Sequence, residues 1–166
     1  AEKTGLIIPM GYWALEEACK QIQLWEKLGM PLYPIAVNLS AVQFEHKHLF
    51  NTLEMLFDRY EISPAHLIIE ITESTAMHHI DASIATFERL RKMGIKVAID
   101  DFGTGHSSFL YLKNLPVDEL KIDREFIHDL TPNSKEEMIL ESIIQLAVKL
   151  GLNVTAEGIE TPLQAD

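Results

Sequence analysis

The chain has 166 residues, 47% of them hydrophobic, with 14 basic against 25 acidic side chains and a formal net charge of -11, which is material for one sizeable globular core. An acidic balance with no basic stripe of interleaved aromatics argues against duplex or single-stranded nucleic acid as a partner, although a phosphorylated small molecule stays admissible where a metal ion inverts the local field. The lone cysteine, Cys19, leaves no disulfide framework and no thiolate metal site, and no apolar run approaches membrane-spanning length, so the composition predicts a reducing, cytoplasmic setting.

Residues 1–8 read as a loop and the approach to a helix. The amphipathic stretch 11–28 follows, in which Trp13 and Trp25 read as core or interface aromatics and Cys19, beside Leu15 and Ile22, as a buried inert thiol. Five short apolar runs predict strands at 34–37, 67–69, 95–99, 117–120 and 152–155. Between them, Leu49, Leu53, Leu56 and Tyr60 recur at helical spacing. So do Ile80, Ile84, Phe87 and Leu90, and again Ile139, Ile143, Ala147 and Leu150. Gly94 and Gly151 stand where a helix hands over to a strand, and Ser134 with Glu137 matches a capping box. Pro132, Asn133 and Ser134 form a loop, and no linker, repeat or low-complexity segment marks a second domain.

Strand-helix alternation of this regularity predicts an α/β fold of parallel strands with helical crossovers, either a barrel or a doubly wound sheet. No GxGxxG or GxxxxGK[ST] follows any strand, which favours the barrel. A complete (β/α) barrel needs about 250 residues and roughly eight strands, so residues 1–166 read as a single incomplete TIM-like barrel domain, a piece of something larger.

In both architectures ligands bind at the carboxyl ends of the strands, and here those ends carry Asn38, Glu70, Asp100, Asp101, Lys121 and Glu157. Asp100 and Asp101 either cap the glycine turn that follows or serve adjacent metal ions, one facing the barrel mouth and the other projecting from the loop. Glu70 lies inside the apolar LIIEIT, where a carboxylate is costly unless paired or ligated. Glu73 falls in the loop beyond it and can hold a backbone amide or cap the next helix. Asn38, in AVNLS, reads as an amide buried between Val37 and Leu39, for a structural hydrogen bond or for metal ligation. Oxygen donors of this kind suit Mg2+ or Mn2+. Lys121, between Leu120 and Ile122, either reaches an inner anion or sits on an exposed edge. Glu157 closes NVTAE as helix cap, metal ligand or general base. His46 and His48, and the adjacent His78 and His79, lack the spacing that puts two imidazoles on one helix face, and read as surface residues. His106 follows the DDFGTG segment and is a candidate for the mouth.

VNLS at 37–40, EITES at 70–74, DDFGTGHSS at 100–108, LKIDREF at 120–126 and AEGIET at 156–161 together resemble, in order and spacing, the EAL-domain family of bacterial cyclic di-GMP phosphodiesterases. The resemblance covers essentially the whole chain. It implies a TIM-like barrel that hydrolyses cyclic di-GMP to linear pGpG with Mg2+ or Mn2+, in bacterial signalling of the kind that governs biofilm formation and motility. It further implies Asn38, Glu70 and Asp100 as ligands of a first metal, Asp101 as ligand of a second, Lys121 as the residue that positions the attacking water, Glu157 as general base or water-metal contact, and Glu73 as the glutamate that steadies the DDFGTG loop. His106 departs from the family's usual tyrosine. The family's Glu-Ala-Leu segment, with its metal-binding glutamate, and its downstream glutamine lie outside these residues, so the resemblance implies that the chain alone is inactive and poorly stable. Expected partners are cyclic di-GMP, a second copy in a homodimer, and attached sensory or GGDEF-type domains. The alternatives are an EAL-like module that binds without hydrolysis and, from the residues alone, a Mg2+-dependent barrel enzyme acting on an enolisable acid.

Overall fold

The computed structural model describes residues 5–103, 109–128, 130–131 and 134–165. Among the described residues the strands form one five-stranded sheet in the chain order β1-β2-β3-β4-β5. These strands are β1 (Ile35–Asn38), β2 (Leu67–Thr72), β3 (Lys96–Phe102), β4 (Glu119–Ile122) and β5 (Asn153–Ala156). Each lies within a few residues of a predicted run, and the pairings β1 with β2, β3 with β4 and β4 with β5 are parallel. The α/β class is therefore as expected. The chain divides into two compact units, one of residues up to 71 with 85–97, the other of 72–84 with 98 onward.

In the first unit α1 (Ile7–Lys27) buries Gly11, Leu15, Ala18, Cys19 and Ile22, a stripe at helical spacing. The helix begins four residues ahead of the predicted stretch because Pro9 falls in its first turn, where a missing N–H costs no hydrogen bond. Against it lie the short α2 (Ala41–Phe44) and α3 (Leu49–Tyr60), the latter with Leu49 and Leu53 wholly buried. Cys19 is fully buried, and removal from water, reinforced by Glu16, pushes its thiol up to about 11, which keeps it unreactive. Trp13 is no core residue: it is 63% exposed, on the opposite side of α1 from Leu15. In β2, Leu67, Ile69 and Ile71 are wholly buried, as expected for a parallel strand.

The helix α5 (Ile80–Lys92) ends at Gly94, whose φ of +85° is the left-handed conformation that lets the chain reverse into β3. In the second unit α4 (Glu73–His78), α6 (Phe109–Leu112) and α7 (Arg124–His128) are short, whereas α8 (Lys135–Lys149) is long and packs on β5. The Ser134 hydroxyl accepts from the Glu137 amide at 3.1 Å, the predicted N-terminal cap, and Gly151 at φ +79° closes the other end. The buried face of α8 is Leu140, Ile143 and Ala147. Ile139, expected on that face, is 52% exposed, because Leu140 takes its place one residue, or about 100°, around the helix. Pro132 and Asn133 of the predicted loop lie outside the described residues. A last turn, α9 (Pro162–Ala165), follows β5.

Replacing Leu53 by Ala is expected to cost about 2–5 kcal/mol of unfolding free energy in urea denaturation, because its side chain is fully enclosed. The same truncation at Met55, two positions along α3 and 50% exposed, should stay within about 0.5 kcal/mol.

Candidate active site

Each polar residue singled out at a strand end has a defined place within its own unit, His106 excepted, which lies outside the described residues. In the first unit, Asn38 and Glu70 are register partners at the carboxyl ends of β1 and β2. The Asn38 amide donates through Nδ2 to Glu70 Oε2 at 2.9 Å, while the Leu39 N–H donates to the Glu70 carbonyl at 2.9 Å. Asn38 is exposed, not buried as expected. Val37 and Leu39 turn into the core at 7% and 4% exposure, and strand alternation carries the residue between them to the other face. Glu70 is 8% exposed within an apolar strand, the costly placement that its sequence context predicts.

In the second unit the register of β3 against β4 shifts: Ala98 and Ile99 lie opposite Glu119 and Leu120, but Phe102 lies opposite Ile122. Three steps on β3 match two on β4. The extra residue is a bulge at Asp100 and Asp101, and Asp101 absorbs it with φ +53°. Left-handed conformations are uncommon outside glycine, with aspartate among the exceptions. The Asp101 N–H donates to Asp100 Oδ1 at 3.1 Å. Lys121, on the face of β4 opposite the buried Leu120 and Ile122, places Nζ 3.1 Å from Asp100 Oδ1 and 2.7 Å from Glu157 Oε1. Of the two alternatives for this lysine, the structure has the inner anion. Glu157 follows β5 directly, its N–H donating to the Ile122 carbonyl at 3.0 Å.

Burial raises the Asp101 pKa above the ordinary carboxylate value, and the charges of Asp100, Asp123 and Glu157 raise it further. An oxygen-rich cluster in which carboxylates repel one another has the chemistry of a hard divalent-cation site, so these residues fit a Mg2+-like or Mn2+-like ion. Glu73 is the first residue of α4 and 2% exposed, and its Oε2 accepts from the Gly103 N–H at 2.8 Å. Gly103 has φ +103° and a Cβ there would collide with the Phe126 ring, so the start of the loop is held by one carboxylate and one residue without a side chain.

Two residues received no role in the sequence reading. Asp123 shares a side-chain hydrogen bond with Asp101 and accepts from the Glu125 N–H at 2.7 Å. Gln43, 2% exposed, caps α2 reciprocally with Ser40; the Ser-x-x-Gln spacing was the available signal. The histidine reading needs one correction. His46 is half-buried, and its Nδ1 lies 2.6 Å from the Tyr12 hydroxyl.

A family model, the EAL domain, matches residues 1–166, and the chain belongs to that family. It is 50% identical over its whole length to the bifunctional diguanylate cyclase/cyclic di-GMP phosphodiesterase MucR of Pseudomonas aeruginosa, of which it covers 24%. It is 38% identical over 99% of its length to the cyclic di-GMP phosphodiesterase NbdA of the same organism, covering 21% of that protein. The chain thus spans a fifth to a quarter of the length of these relatives. Among solved structures, the MucR phosphodiesterase in complex with c-di-GMP superposes with a TM-score of 0.91 at 50% identity, over 99% of this chain and 71% of that one. A manganese/cy-diGMP complex of Klebsiella pneumoniae BlrP1 superposes at 0.78 with 28% identity, over 93% of this chain and 40% of that one. EAL domains are TIM-like barrels, and the described residues carry five strands of such a fold.

Folding raises the Asp101 pKa, so its charged form costs stability at every pH above the folded-state value, and the cost vanishes as pH falls below the unfolded value. Asp101→Asn, which also tolerates the left-handed conformation, should raise the melting temperature in EDTA at pH 7. The gain should shrink as the pH approaches about 3.9, read by thermal melts across that range.

Proposed function

We propose that this chain is part of a divalent-metal-dependent phosphodiesterase that hydrolyses one phosphodiester bond of cyclic di-GMP to give linear pGpG. The observation that carries the reading is Lys121, held between Asp100 and Glu157 at the ends of three successive parallel strands. Core packing has no use for such a cluster. Each candidate ligand from Asn38 to Glu157 is retained, which favours hydrolysis over a module that only binds.

In this reading Asn38, Glu70 and Asp100 would hold a first Mg2+ or Mn2+ and Asp101 a second. Bound ions of this kind supply Lewis-acid activation of water and charge for the phosphoryl oxygens of an in-line displacement. The residues themselves do the rest. The Lys121 ammonium, fixed by two carboxylates, directs an N–H toward the attacking water and adds positive charge near the phosphate. Glu157 carries a side chain 39% exposed, so it can take a proton from that water and exchange it with solvent. Glu73 keeps the loop that carries Asp100 and Asp101 anchored through Gly103. The domain would work as a homodimer in the cytoplasm, under the control of attached sensory or GGDEF-type domains. That last point is supported by relatives named for a diguanylate cyclase and for an oxygen sensor, DosP of Escherichia coli. Among the described residues no helix is long and apolar enough to cross a membrane.

Glu70→Gln and Asp100→Asn in the complete protein should each abolish turnover of cyclic di-GMP, beyond the roughly 10–100-fold typical of changes to groups that only support a metal ligand. The melting curve of Glu70→Gln should move little, since an amide fits that position, whereas Asp100→Asn also removes one of the two carboxylate partners of the enclosed Lys121 and should melt lower. Turnover retained in both variants would refute the ligand assignment.

A further inference from the structure

We propose that Gln43, seated on Gly11, is the positioning residue that aims the Asn38 amide beside Glu70; the inference rests on the reading of Asn38 as a metal ligand. Gln43 is 2% exposed, and its Oε1 accepts from the Ser40 N–H at 3.2 Å and the Ser40 hydroxyl at 3.0 Å. Ser40 lies two residues beyond Asn38. With the Leu39 N–H on the Glu70 carbonyl at 2.9 Å, the backbone immediately after Asn38 is tied at two successive residues, once to β2 and once to the Gln43 side chain. That leaves the Asn38 side-chain torsions as its remaining freedom, and the 2.9 Å bond from Nδ2 to Glu70 holds those.

The other end of Gln43 carries a cost that sets it apart from an ordinary helix cap. Its Nε2 is buried and finds no hydrogen-bond partner among the described residues, a cost that a methionine of similar volume would not carry. The amide occupies the space where a Cβ at Gly11 would stand. A glycine in the interior of a long helix is itself unfavourable, and here it makes room for that amide. Two locally unfavourable choices on separate elements therefore combine to hold the cap of Ser40. A pattern of this kind is expected where geometry at a functional group is being enforced.

The test is Mn2+ binding to the metal-free complete protein, followed by the electron paramagnetic resonance signal of free Mn2+, beside melting curves. Gln43→Met keeps the volume, loses the cap and removes the orphaned amide. It should weaken Mn2+ binding about tenfold or more with no loss of melting temperature, a split that a purely structural role would not produce. Gly11→Ala, which keeps Gln43 and displaces its amide, should weaken binding in the same direction and provides a second route to the answer should the first variant fail to fold. Asn38→Ala is the control. If it weakens binding while both other variants bind Mn2+ within twofold of the parent, the positioning role is overturned and the ligand reading stands. If Asn38→Ala leaves binding unchanged, both fall.

Discussion

The geometry of the second unit depends on one cation between two carboxylates. Lys121 Nζ joins Asp100 and Glu157, and because these residues lie within or directly after the last residues of β3, β4 and β5, the contact ties the three strands together near their carboxyl ends. The lysine side chain is 14% exposed. A charge so enclosed is kept there by its partners: removal of either would leave a poorly solvated ion, which costs far more than an exposed pair contributes. The buried Leu120 and Ile122 on either side force the lysine onto its face of β4, so the same alternation that builds the core also delivers the ammonium to the acids.

The bulge in β3 supplies what regular alternation cannot. In an unbroken strand Asp100 and Asp101 would point to opposite faces. With three residues of β3 against two of β4 and Asp101 at φ +53°, the second aspartate joins the neighbourhood of Asp100, Asp123 and Glu157, as its raised pKa records. A left-handed non-glycine residue and a cluster of mutually repelling carboxylates are each unfavourable on their own. Their coincidence at one residue is the physical sign that this strand end serves binding.

Much of this was legible in the sequence because its strongest signals are periodic. All five strand positions follow from apolar runs, and the alternation of Leu120, Lys121 and Ile122 already excluded a dry place for the lysine. The acids at the strand ends could be counted before any coordinates. The bulge was not legible, since a one-residue slip leaves no trace in hydrophobic pattern. Ile139 was misplaced, and Trp13 was left open between core and interface, because composition marks a residue as apolar without saying on which side of the helix it falls, and Pro9 disguised the start of α1. Asn38 was read as buried from its apolar neighbours, although those neighbours at alternate positions are the reason it faces the other way. Gln43 left a spacing signal that was not used, and its seat on Gly11, 32 residues earlier, could be seen only in three dimensions.

The buried acids show how differently one chemical problem is handled within a single fold. Glu73 receives a backbone N–H from Gly103, a partner that neither titrates nor exchanges, and so it suits a permanent structural contact. Glu70 receives an amide from Asn38, a neutral dipole that satisfies an oxygen without itself neutralising the charge. Asp100 has an ammonium, which lowers the local field but is only one positive charge among several acids. The partner chosen for each carboxylate thus follows what the group has to do. A neutral dipole serves where the charge must persist for binding or support, and a cation serves where several acids crowd together. Oxygen donors fixed in this way are the kind of set that a hard divalent ion prefers.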